Sequence, residues 1–244
     1  MRVETNEKLA RRNRKIAQYL FFATFGILIL GFIFINQQAR TLTEDNVALV
    51  TLLQTAMLPV AFITTIISVR MTNLWVRQPR PEVVIPEGLK GIGNKSVLYN
   101  YYHLPARHVL IAPQGVFAIV TRFQDGRFNV EGDRWSTNKS LLSRIFSIFR
   151  FDSIGNPTAD AQRAAAHVKK LLEPIASNVE VHPMIVFTSP RAEVTATSST
   201  VPIVFPTGKK VLPIKDALRE VAKDSRMPLT PEQIQAFEQA TVRR

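Results

Sequence analysis

Arg107 and Arg122 stand at the open end of what reads as a strand pair. Residues 106–123 (ARHVLIAPQGVFAIVTRF) are two apolar runs joined by Pro113-Gln114-Gly115, with one arginine near the start of the first and the other near the end of the second. If Pro113 and Gln114 form a two-residue tip, Ala112 faces Gly115, and counting outward sets Arg107 directly across from Val120. Arg122 then lies one diagonal step further on the same face. Guanidinium groups so placed bind phosphate oxygens through paired donors, or they pair with nearby acids or reach solvent at the end of the sheet.

Other residues offer less. Asp125, Glu131 and Asp133 are carboxylates in the turns that flank the next strand, and relocated metal ligands would have to come from them. His103, His108, His167 and His182 show no metal-ligand spacing and no serine or cysteine partner. The stretch GLKGIGNKS, residues 88–96, resembles a phosphate loop, but Asn94 separates Gly93 from Lys95 and breaks the register that cradles a phosphate. The absence of cysteine removes disulfides and thiolate chemistry. No catalytic residue, metal site or cofactor is assigned.

The elements that position the two arginines follow from pattern. Both faces of the hairpin are apolar, one carrying Val109, Ile111, Val116, Ala118 and Val120, the other Leu110, Ala112, Phe117 and Ile119. Such a pair lies between two covering layers. A third strand, Arg127 to Val130, follows the turn Gln124-Asp125-Gly126 and continues a meander. Asn156-Pro157-Thr158 opens a helix, with Asp160 in its first turn and Ala161, Ala164, Ala165, Val168, Leu171 and Leu172 at helical spacing. His182 to Thr188 and Val201 to Phe205 read as strands. Ile214 to Asp224 and Pro231 to Ala240 read as closing helices, the last capped by Thr230 with Gln233 three residues on.

The front of the chain differs in kind. Ile16 to Ile35 and Val47 to Val69 are both free of charge, and at about 1.5 Å per residue each crosses a hydrocarbon core of roughly 30 Å. Lys8, Arg11, Arg12, Arg14 and Lys15 precede the first run and Arg70, Arg77 and Arg80 follow the second, which orients both ends to the cytoplasm. The expected organisation is a basic cytoplasmic tail (1–15), a transmembrane helix (16–35), an external loop (36–46), a second transmembrane helix (47–69), a proline-rich juxtamembrane linker (70–87) and one domain (88–244). The protein is thus expected to be a multi-pass protein of the cell's inner (plasma) membrane. Pro59 is placed to kink the second span, and its threonines and Gln54 suit bonding to the first, so that the two pack as a hairpin.

The net charge of +12 favours polyanionic partners, either nucleic acid or anionic lipid at the inner leaflet. Residues 140–151 (SLLSRIFSIFRF) place Leu141, Leu142, Ile145, Phe146 and Phe149 at helical spacing with Arg144 and Arg150 interleaved. This is the pattern of a helix lying on the membrane surface, and equally of one that buries its stripe in the core.

The hairpin HVLIAPQGVFAIVTR, the turn QDG, the following Trp135, the helix opening NPTADAQ, the strand MIVFTSP and the late PLTPEQI resemble, in that order, the nuclease-related (NERD) domain. This is a branch of the restriction-endonuclease-like PD-(D/E)XK superfamily, and the resemblance runs from about Gly88 to Thr241. It implies an α/β domain, an α+β mixed sheet of restriction-endonuclease-like type, behind a two-helix transmembrane hairpin. It also implies that an Asp on one strand and Glu-x-Lys on the next hold Mg²⁺, the metal activating water against a phosphodiester. Those positions fall at Arg107, Val120 and Arg122. Arginine adds positive charge where a cation would sit, and valine has no donor atom. The expected function is therefore a membrane-anchored, catalytically degenerate nuclease-related domain that binds nucleic acid or a protein partner at the cytoplasmic face, Arg107 and Arg122 being candidate phosphate ligands. The competing class is a divergent metal-dependent nuclease with relocated carboxylates.

Overall fold

The computed structural model describes residues 1–40, 43, 47–137, 153–206, 212–224 and 229–242. The described residues form two compact units, one of residues 8–78 and the other of residues 1–7 with those from 79 onward.

The first unit is a helical hairpin, α1 (Glu7–Arg40) and α2 (Val47–Trp75). Both helices are long and apolar enough to cross a membrane. Helix α1 buries Ala10, Ala17, Thr24 and Gly31, each seven residues after the last. On α2 the buried or half-buried positions include a series stepping by three and four, Val50, Gln54, Met57, Ala61, Thr64 and Ser68. A seam with that period winds two helices into a left-handed supercoil. Small residues let the backbones approach. A Cβ on Gly31 would lie 1.3 Å from the Met57 methyl carbon, and Thr24 Oγ1 donates to the Thr64 carbonyl at 3.4 Å. Thr55 and Thr65 instead bond back to their own helix, at 2.8 and 2.7 Å. The helices outrun the expected spans of 16–35 and 47–69, because Glu, Lys, Arg, Ala and Leu continue a helix as readily as apolar residues do.

The second unit begins before α1. Strand β1 (Arg2–Thr5) pairs in parallel with β2 (Val97–His103), so the expected basic tail of residues 1–15 is a sheet strand followed directly by helix. The expected linker at 70–87 is likewise structured. Beyond the end of α2, α3 (Pro81–Gly88) carries Pro81 at its first turn, where no N–H is needed, and buries Ile85, with Leu89 just beyond. Gly88 is required there, since a Cβ would sit 2.5 Å from the Pro206 carbonyl oxygen.

Strands β3 (Ala106–Ala112) and β4 (Gly115–Arg122) form the expected hairpin, with Ala112 opposite Gly115 and His108 opposite Ile119. Strand β7 (Val181–Phe187) pairs in parallel with β4, and the short β9 (Ile203–Val204) follows β7, giving the sheet order β1-β2-β3-β4-β7-β9. One face packs Val109, Ile111, Val116 and Ala118 against α4 (Pro157–Leu172) and α6 (Pro231–Thr241). The other packs Leu110, Phe117 and Ile119 against α3 and α5 (Ile214–Asp224). The mixed sheet with both faces covered is the architecture expected, and the capping box of Thr230 and Gln233 is present.

The meander is not. Strand β5 (Gly126–Glu131) leaves the main sheet and forms a second one with β6 (Arg134–Thr137) and β8 (Ala192–Thr197), in the order β6-β5-β8. Both edges of β4 are already taken, by β3 and β7. A third strand has no hydrogen-bonding groups left there to pair with.

Candidate functional site

The β3–β4 register, continued one step past His108 and Ile119, sets Arg107 opposite Val120. On its other side Val120 pairs with Ile185 of β7, and Arg122 with Phe187. Val120 is half-buried and packs against two apolar clusters, and its own side chain has no donor atom for a metal.

Arg122 turns inward, with its side chain 13% exposed. Its Nη2 donates to Asp160 Oδ2 of α4, and its Nη1 to the Thr121 carbonyl at 3.1 Å. Asp160 Oδ1 accepts from the exposed Arg163, so each of its oxygens faces a guanidinium. Burial pulls the Arg122 pKa below its ordinary value, while the charge of Asp160 and its hydrogen bond pull it back up. Arginine keeps its proton under such opposing influences. Asp160 lies in the first helical turn, where the N-terminal end of the dipole favours a carboxylate.

The start of α4 is itself positioned. Asn156 caps it, Oδ1 accepting from the Ala159 amide at 3.1 Å. Trp135 Nε1 donates to the buried Thr158 Oγ1 at 2.9 Å while its ring stacks on Phe187 at 6.1 Å. Trp135 therefore links the second sheet, the end of β7 and the first turn of α4, which carries Asp160 to Arg122.

The other residues singled out by sequence lie elsewhere. Asp125 bonds Ser189 and Arg191, the latter at 2.8 Å. Asp133 accepts from Thr200 Oγ1 at 2.7 Å, and Glu131 is an exposed residue of β5 paired in register with Thr197. All three serve the second sheet and its turns. His108 is fully buried with Nδ1 2.8 Å from Asn100 Oδ1, and burial, then the charge of Arg107, push its pKa down to about 3. His103 stacks on Phe237 at 4.8 Å and bonds Thr241 Oγ1 at 2.9 Å, with its pKa pushed down to about 4 by burial and then by His167. Among the described residues no group of three or more His, Asp or Glu is arranged to hold a metal. Leu142, Arg144, Ile145, Phe146, Phe149 and Arg150 lie outside the described residues.

Asp160 is the site residue that sequence reasoning missed. It was legible only as a helix-start acid. The available signal was that the NPTAD opening carries the one carboxylate in the first turn of a helix that packs on β4.

Compared with known proteins, residues 87–188 match the family model described as "Nuclease-related domain" (NERD). The matched stretch contains β2 to β7 and α4, and with them Arg107, Val120, Arg122 and Asp160. No curated protein and no solved structure matches the chain.

Proposed function

We propose that the nuclease-related domain carried by this chain binds a phosphate-bearing partner, nucleic acid foremost, without cutting it, and that the helical hairpin holds it at the cytoplasmic face of the plasma membrane. The observation that carries this reading is the side-chain set at the hairpin mouth. Arg107 faces Val120, and the inward Arg122 is held by Asp160. A divalent cation needs several oxygen ligands at close range; here the one carboxylate beside Arg122 already serves two guanidinium groups. Two arginines share one aspartate, Arg107 adds a third positive charge to the same strand pair, and arginines bind phosphate oxygens in forked geometry without chemistry.

The membrane reading rests on the apolar length of α1 and α2 and on basic residues flanking both. A protein partner recognised through the same cationic surface is the alternative occupant.

The test uses the full chain in detergent, incubated with supercoiled, linear and single-stranded DNA and with RNA, in Mg²⁺, Mn²⁺ or EDTA. Expected is salt-dependent retention of nucleic acid with no cleavage, weakened by R107A/R122A together with a shallower salt slope. Metal-dependent cleavage would overturn the reading in favour of a nuclease. Neither binding nor cleavage would favour a protein partner.

A further inference from the structure

Helix α1 does not begin where the uncharged run begins. It starts at Glu7, so the bases ahead of Ile16 are held in fixed order on a helix surface. Lys8, Arg11, Arg12 and Lys15 follow the spacing i, i+3, i+4, i+7, which gathers them on one face. All four are exposed, while Ala10 and Ala17 are fully buried on the opposite side of the helix, the side on which Thr24 and Gly31 meet α2. The fifth base, Arg14, is half-buried and lies off that face.

The same face changes character along its length. One turn after Lys15 it presents Tyr19, 71% exposed, then Phe22, 68% exposed, and further on Leu30, 69% exposed. Cations, then an amphipathic tyrosine, then wholly apolar side chains is the order met on crossing from lipid phosphate through the interface into hydrocarbon. Lys8 to Lys15 covers about 10 Å of helix axis at 1.5 Å per residue, enough for the long side chains to spread through a headgroup layer.

We infer that Lys8, Arg11, Arg12 and Lys15 form a binding stripe for the phosphates of anionic lipid headgroups, on the side of α1 facing away from α2. Nucleic acid would meet the same charges. A nucleic-acid stripe, however, has no reason to grade over the next turns into exposed Tyr19, Phe22 and Leu30, which a lipid interface and hydrocarbon accommodate. The stripe anchors the protein to anionic lipid at the point where the chain passes from β1 into the first span. The inference rests on the reading that α1 crosses a bilayer.

The full chain is reconstituted in vesicles of phosphatidylcholine and phosphatidylglycerol. An alkaline carbonate wash reports insertion, and spin-labelled lipids report how strongly the protein selects phosphatidylglycerol. Each engaged base near the surface contributes up to about fivefold in lipid preference. The wild-type chain is expected to select phosphatidylglycerol, K8Q/R11Q/R12Q/K15Q to lose that selection while remaining inserted, and K8R/R11K/R12K/K15R to keep it. The half-variants K8Q/R11Q and R12Q/K15Q are each expected to lose part, and R14Q to lose little.

Wild-type selectivity in the quadruple glutamine variant would overturn the proposal. So would intact lipid selectivity with loss of duplex-oligonucleotide binding to the vesicles, which would assign the stripe to nucleic acid. Removal of the wild-type chain by carbonate would overturn the membrane reading itself, in a measurement separate from lipid selection.

Discussion

Arg122 of β4 and Asp160 of α4 form an ion pair at the mouth of the central hairpin. Both residues lie within the stretch that matches the nuclease-related family model. The acid comes from a helix instead of a strand, and it is shared with Arg163. The charged groups at this end of the hairpin therefore engage one another.

Removing Asp160 leaves a largely buried guanidinium without its acid. Exposed pairs contribute about 0.2–1 kcal/mol, while breaking a buried pair costs about 3–5 kcal/mol. Asp160 itself is 38% exposed, so D160A should destabilise the domain by an intermediate amount, about 2 kcal/mol. R122M/D160A should lose less than the two single changes together. Denaturation followed through Trp135 fluorescence in a W75F background measures both.

The N-terminal strand should be needed by a domain that otherwise lies beyond α2. Arg2 pairs with the buried Glu238 of α6, which also accepts from Tyr99 Oη at 2.6 Å, and Asn100 donates to Thr5 at 3.0 Å. A chain lacking residues 2–5, or a fragment starting at residue 81, exposes the edge of β2 for pairing with other chains. Either should be more protease-sensitive and more prone to aggregate than the full chain. E238Q should reproduce part of the loss.

Acid should destabilise the domain well above the range of its carboxylates. His103 and His108 have folded pKa values of about 4 and about 3, against about 6.5 when unfolded. Between those values the unfolded chain binds more protons, so stability rises with pH and is lost as pH falls below about 6.5. At about 1.4 kcal/mol per pH unit for each histidine, the loss from pH 7 to pH 5 is on the order of 4 kcal/mol. Denaturation midpoints across that range check it, and H103N should flatten the slope by about half.

Gly31 should set the spacing of the helical hairpin, because any side chain there meets Met57. The chain has no cysteine, so T24C/T64C is a clean cross-linking pair at an observed contact. Oxidation should join the two positions in high yield, and adding G31L should lower that yield sharply.

Local features of this protein follow from the order of its residues alone. A two-residue turn sets register by counting, so the opposition of Arg107 and Val120 follows from Pro113-Gln114-Gly115, and the observed pairing of Ala112 with Gly115 agrees. The helix openings at Asn156 and Thr230 are visible because capping is a contact between residues three apart. The length of each uncharged run likewise marks helices able to cross a membrane. What tertiary structure decided involves partners distant in sequence. Strand β1 pairs with residues about a hundred positions later, and a run of four residues, Arg2 to Thr5, carries no local sign of a parallel partner. Strand β5 was turned out of the main sheet by competition for the edges of β4. Asp160 met Arg122 only because capping, the Trp135 bond and the buried face of α4 set that helix over β4. A charge pair between elements leaves no periodicity in the sequence, since its energy depends on distance in space and burial alone.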